Sequence, residues 1–254
     1  MFDNSEIEVA PELPATTMAE RCYNYMFAYC NNLKKAPALP ATNLALGCYS
    51  YMFWCCEGLA EASELPATKM AESCYEYMFC GCESLTAAPE LPATTMETKC
   101  YSRMFSETAL TVAPLLPATT LAESCYESMF SYCEALTEAP ALPATQLDKR
   151  CYANMFSHCS NLIGTIELPA EELPERCYYS MFEKCSKLSS VKCLATTMTG
   201  KCALLDWLIN AGTDESVGTP TMTHALGTPW VNSDEDPTEL TDWFAPTGWT
   251  LVSQ

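Results

Sequence analysis

Between Met18 and Cys30 the chain alternates apolar and polar residues at a spacing close to that of a helix. Wound at about 100° per residue, Met18, Ala19, Cys22, Tyr23, Met26, Phe27, Tyr29 and Cys30 fill one half of the circumference. Glu20, Arg21, Asn24, Tyr25 and Ala28 fill the other. That distribution predicts an amphipathic helix of about three to four turns. Thr17 with Glu20, and Thr120 with Glu123, have capping-box spacing, and Asn43 is a suitable N-cap. The stretch that follows, "LKKAPALP" or "LTAAPELP", is too short for a second helix. Pro11, Pro37, Pro89, Pro114 and Pro140 recur in it. Proline has no N–H to give a ladder, so a strand here is expected to be three or four residues long and to end in a turn.

This unit repeats along the chain. Leu-Pro pairs begin at Leu13, Leu39, Leu65, Leu91, Leu116, Leu142 and Leu168, at successive intervals of 26, 26, 26, 25, 26 and 26 residues. A degenerate copy, "CLATTMTGKC", opens at Cys193, and Ile7 stands where Leu33 and Leu85 stand in later copies. The short copy contains "MFSETAL", with Ser106, Glu107 and Thr108 in place of a cysteine-bearing end, and is expected to be the layer that opens first. A helix and a short strand every 26 residues predict an α/β repeat solenoid, a right-handed stack of strand-plus-helix units. It is expected to occupy residues 1–205, with a small irregular capping unit at 206–254 that holds four of the five tryptophans.

The consensus "MAExCYxxMFxxCxxLtxAPxLPAT" resembles the BspA-like subgroup of leucine-rich repeats, cysteine-rich arrays found on bacterial surface proteins and in gut-phage genomes. The closing "CLATTMTGKC…W…GTPW…PTGWTLV" is similar to the end of such arrays, whereas "NAGTDESVGTPTMTHAL" and the acidic "NSDEDPTELTD" depart from the pattern. The resemblance implies a leucine-rich-repeat solenoid that displays a binding face, and no enzyme activity.

Charge narrows the class of partner. A net charge of −19 with only 13 lysines and arginines argues against nucleic acid or an anionic membrane. No run approaches the ~20 apolar residues of a membrane span, and "MFDNSEIEVAPELPA" carries no signal-peptide pattern.

Seventeen cysteines raise the question of staples or metal. On a helix, Cys22 and Cys30 lie about 12 Å apart by rise, too far for a disulfide. Equivalent cysteines on packed helices would be roughly 8–10 Å apart, again too far. Their common C-x₇-C spacing is not that of zinc ligands. Small buried thiols in the apolar core are the expected role, with Cys55 and Cys80, at variable positions, exposed. Neither a metal nor a cofactor is expected.

His158 and His224 lack a nucleophile signature, and no phosphate loop, G-x-S-x-G or H-E-x-x-H occurs. Three surfaces remain as binding candidates. Tyr25, Tyr51 and Tyr77 form a column with Trp54 nearby, replaced in later copies by Arg103, Ser128, Asn154 and Ser180. Glu12, Glu64 and Glu90, followed by Glu167, precede Leu-Pro pairs and form an interrupted acidic row. The acidic segment 232–242 offers oxygen ligands for calcium without EF-hand spacing. The expected function is a non-catalytic interaction scaffold outside a cell or on a virion that recognises a protein or glycan. An intracellular structural or assembly protein is the alternative, and the sequence leaves the oligomeric state open.

Overall fold

A computed structural model describes residues 2–225, 228, 231–232 and 244–254. Among them there is no α-helix, and the predicted strand-plus-helix solenoid is overturned. The segment expected to be helical is instead a continuous run of turns in every copy.

The first run shows how it is built. Cys22, Asn24, Met26, Ala28 and Cys30 donate their N–H groups three residues back, to Ala19, Arg21, Tyr23, Tyr25 and Phe27 (3.1–3.4 Å). The residues between them donate out of the run: Arg21, Tyr23, Tyr25, Phe27 and Tyr29 reach Leu46, Cys48, Ser50, Met52 and Trp54 of the next copy (2.8–3.2 Å). Every second N–H closes a turn and every other one ties two layers, so no backbone donor in the run is lost. Arg21, Tyr25 and Tyr29 have φ of 50°, 54° and 59°. Each is the third residue of its turn, where a type II turn requires positive φ. Gly47, Tyr51 and Cys55 repeat this in the second copy, and Ser124, Ser128 and Tyr132 in the fifth.

The period of the run is therefore four residues. In the second copy Cys48 and Tyr49, then Met52 and Phe53, then Cys56 point into the core, while Tyr51 and Cys55 on the left-handed positions lie at least partly open. A four-residue period reverses two placements made by the helical wheel. Tyr29 is 41% exposed and Ala28 is fully buried. The expected helix caps are also absent: Thr17 pairs with Asn43, and Thr120 with Gln146, as parallel bridges between copies.

Copies stack as layers through this bonding. Phe27, Phe53, Phe79, Phe105, Phe130, Phe156 and Phe182 form a file with neighbouring ring centroids 5.5–6.0 Å apart. A second file runs from Tyr49 through Tyr75, Tyr101, Tyr126 and Tyr152 to Tyr178. Both end on Trp207. At the other end Phe2 stacks on Phe27, and its N–H and that of Asn4 bond to Met26 and Ala28, so residues 2–4 supply part of a further layer.

The Leu-Pro side carries the strands, and proline decides how long they are. In the early copies it holds only isolated parallel bridges, Lys35 with Glu61 and Val112 with both Ala87 and Glu138. Ile166 then replaces the recurrent proline, and a four-stranded parallel sheet begins. It comprises β1 (Thr165–Leu168), β3 (Ser190–Cys193), β5 (Thr221–His224) and β8 (Thr250–Ser253), with Ile166, Val191, Met222 and Leu251 in register. Smaller parallel pairs join β2 (Glu172–Leu173) to β4 (Thr197–Met198) and β6 (Val231–Asn232) to β7 (Phe244–Ala245). A 3₁₀ turn at Glu215–Val217 precedes β5. The turn run continues through residue 212, with Cys202, Asp206 and Asn210 at positive φ. The period thus persists past residue 205, and the C-terminal segment adds two rungs to the same sheet.

The short copy keeps its bonds. Lys99, Tyr101, Arg103, Phe105 and Glu107 donate to the next layer at 2.8–3.0 Å. Thr108 takes the cysteine position and donates to the Phe105 carbonyl at 2.8 Å. The missing residue is absorbed in the corner before Leu110, which stays fully buried.

Lys99 tests the turn-run backbone, because it is exposed with φ of 56°. On a helix, Lys99→Gly would cost about 1 kcal/mol. At a left-handed position, which costs an ordinary residue roughly 1–2 kcal/mol, the same change should raise stability by up to about 1 kcal/mol, and Lys99→Val should lower it. Urea unfolding midpoints give the order directly; glycine below wild type would contradict this backbone.

Candidate functional site

The left-handed positions carry the exposed aromatics. Tyr25 and Tyr51 stack with centroids 4.5 Å apart and ring planes 7° apart, and Tyr51 stacks on Tyr77 at 4.5 Å and 12°. Trp54 stands edge-on to this ladder, 6.0 Å from Tyr25 and 5.7 Å from Tyr51. Tyr29 lies 4.9 Å from the indole. The Arg103 guanidinium closes the column, 5.4 Å from the Tyr77 centroid. Tyr25 is 38% exposed, whereas Tyr51, Trp54 and Tyr77 are half-buried. Burial, with Glu76 nearby, pushes the Tyr51 hydroxyl well above its ordinary range.

Tyr25, Tyr51, Trp54 and Tyr77, proposed as a set from sequence, thus stand together on one face. Two further members were missed. A 3.6-residue period puts Tyr29 on the apolar arc, and the sequence alone shows Arg103 only as a residue that interrupts the tyrosines. A period of four puts both in view.

Glu12, Glu64 and Glu90 are exposed on the Leu-Pro side. The row is broken by Ala38, Leu115 and Ala141, and Leu115 is 78% exposed. Its last acid, Glu167, pairs with Lys192 at 3.1 Å. The row and the aromatic column belong to different segments of each copy, and nothing brings them into one site. The proposed calcium segment lies outside the described residues apart from Asn232.

A second outward column follows in the later copies. Tyr132 stacks on His158 at 4.1 Å, and the His158 Nε2 lies 3.5 Å from Lys184 Nζ and 3.9 Å from Glu183. Burial and then the lysine hold the imidazole below its usual pKa.

The cysteines are all free thiols, and most of them form two files in the core. Their geometry differs from the helical expectation. Layers are joined by direct backbone hydrogen bonds, not by packed helices, so equivalent cysteines are closer than that reading allowed. What keeps the second file in place is a specific bond. Cys56, Cys82, Cys133, Cys159 and Cys185 each donate S–H to the carbonyl of the phenylalanine one layer back, at 2.9–3.2 Å. In the first file Cys74 and Cys100 face the sulfurs of Met70 and Met96 at 3.7 Å. Cys80 is buried, contrary to the sequence reading; Cys22 is the exposed thiol and Cys55 is half-open. Among the described residues no three His, Cys, Asp or Glu side chains cluster as metal ligands.

Burial pushes Cys48 and Cys133 up to about 11 and Cys56, Cys80, Cys100, Cys151 and Cys193 up to about 12. Above the ordinary thiol pKa the unfolded chain loses these protons while the fold retains them. Stability should therefore fall as pH rises from about 8.5 towards 11, by up to roughly 1.4 kcal/mol per unit for each such thiol. Unfolding midpoints measured across that range should decline steeply, and a flat profile would contradict buried thiols. Native alkylation at pH 8 should modify Cys22 and Cys55 alone, and all seventeen should react once the chain is denatured without reductant.

No protein-family model, curated protein or solved structure matches this chain.

Proposed function

We propose that this protein is a non-catalytic interaction scaffold that recognises a protein or glycan through the face built by Tyr25, Tyr29, Tyr51, Trp54, Tyr77 and Arg103. The stacked aromatic ladder carries the proposal. The core files are nearly the same in every layer and cannot discriminate partners, whereas the outward left-handed column changes from copy to copy. Tyrosine and tryptophan supply large contact area with few torsions to freeze. Stacking has already fixed these rings before a partner arrives, which reduces the ordering cost of binding. Because the ring faces are spent on one another, a partner meets ring edges and hydroxyls, chemistry suited to a hydroxyl-rich glycan or a polar protein loop. The acidic balance adds attraction for a cationic partner that weakens in salt. The resemblance of the sequence to arrays on cell surfaces and in phage genomes is what supports display outside a cell or on a virion.

The alternative, an intracellular structural or assembly protein, is favoured by one observation. Seventeen unlinked thiols suit a reducing compartment.

The test is simultaneous replacement of Tyr25, Tyr51, Trp54 and Tyr77 by serine, followed by a glycan array and a panel of purified cell-surface ectodomains. Affinity for a ligand bound by the native protein should fall by at least ~30-fold, since one aromatic hot spot is worth about 2 kcal/mol. The buried files, and hence circular dichroism and cooperative unfolding, should be retained. Binding that survives this change but is lost in Glu64→Lys with Glu90→Lys would move recognition to the Leu-Pro side.

A further inference from the structure

Cys55 and Cys80 stand apart from the other fifteen thiols. Within the turn runs they are the two at positions given to other residue types in the rest of the array: Cys55 sits in the left-handed column with Tyr29 and Gly81, and Cys80 in the column of Trp54 and Ser106. Neither belongs to the thiol files, and neither makes the S–H bond to a phenylalanine carbonyl that holds Cys56 and Cys82.

Their backbones are in direct contact. The Cys55 N–H donates to the Cys80 carbonyl at 2.8 Å. Covalent geometry on either side of that bond keeps the two Cα atoms within about 6.7 Å, inside the 4.4–6.8 Å range that a disulfide spans. Gly81, next to Cys80, has φ of 74°, and a Cβ built there would lie 2.9 Å from the Cys55 sulfur. The Cys55 side chain therefore leans across the neighbouring layer, into space that only a glycine leaves open. Cys55 is half-open to solvent, and Cys80 is only 5% exposed behind it. An accessible thiol with a shielded one beside it is the arrangement of an attacking and a resolving cysteine.

We propose that Cys55 and Cys80 are a dithiol modification site that takes a disulfide of the glutathione class and closes to a cross-layer disulfide. The Cys55 thiolate attacks one sulfur of the small disulfide, forms a mixed disulfide and expels the first thiolate, which takes up a proton. Cys80 then gives up its proton and attacks the Cys55 sulfur, forming the Cys55–Cys80 bond and releasing the second thiol. Two protein thiols are oxidised and one small disulfide is reduced to two thiols. Burial and the carboxylates of Glu107, Glu57 and Glu83 raise the Cys55 thiol, which makes the exchange slow near neutrality and faster as pH rises. The product would staple two layers beside Trp54.

The experiment incubates the native protein with oxidised glutathione at pH 8.5 and maps peptides without reduction. The expected result is a Cys55–Cys80 link formed at least ~10-fold faster than any other link, with both Cys55 and Cys80 lost from the free thiols found after denaturation and the exposed Cys22 carrying at most a glutathione adduct. Cys80→Ser should instead accumulate glutathione on Cys55, and Cys55→Ser should leave Cys80 unmodified. A stable glutathione adduct on Cys55 of the native protein, links spread along the buried files, or no reaction would each overturn the proposal. Circular dichroism of each variant confirms that the layers are intact.

Discussion

The alternation of backbone donors in the turn run is the constraint on which everything else depends. One N–H in two closes a turn and the next crosses to the adjacent layer, as Met26 and Phe27 do with Tyr23 and Met52. That pattern can continue only if every fourth residue turns left-handed. Most of these residues are not glycine: Tyr25, Tyr51, Arg103, Ser128 and Asn154 all adopt φ near 55°. Each isolated instance is unfavourable by about 1–2 kcal/mol, and the layer-to-layer bonds together with the buried files offset it. The tyrosines at these positions, Tyr25, Tyr29, Tyr51, Tyr77 and Tyr132, are at least partly open to solvent, whereas Ser124, Ser128 and Ser180 are buried there, so the energetic exceptions coincide with the positions that vary from copy to copy.

This explains what the sequence did and did not disclose. The repeat, its 26-residue interval, the burial of the Met, Phe and Cys files and the grouping of Tyr25, Tyr51, Trp54 and Tyr77 were all legible, because they depend on comparing copies. The backbone was not. Over one copy, periods of 3.6 and four residues place most apolar side chains on the same arc, and only a few positions separate them. Tyr29 and Ala28 are such positions, and tyrosine's apolar ring put it on the wrong side. No propensity scale anticipates lysine, arginine and tyrosine at recurrent positive φ, since glycine is the residue that ordinarily marks it. Gly47, four residues before Tyr51, and Gly81, four residues after Tyr77, do mark it, and that spacing was the available clue.

Proline set the other side. Wherever it recurs, the Leu-Pro segment makes single bridges, and wherever Ile166 and Val191 take its place a ladder of four-residue strands appears. Ser63 shows the limit of a single exception: it replaces the proline in one copy, but its neighbours keep Pro37 and Pro89, and no strand forms. Strand formation here is a property of adjacent layers together. A preference read one residue at a time cannot report it.

Because each layer bonds only to the one before and the one after, the array has no geometry that depends on how many copies it contains. The copy around Phe105, one residue short, shows that the corner tolerates a change of length without disturbing either neighbour. Unequal recombination between such similar copies would remove or insert whole layers and still join matching backbones. The outward column would then lengthen, shorten or be reshuffled as a unit, so that a gene of this kind can vary what it presents without rebuilding what holds it up.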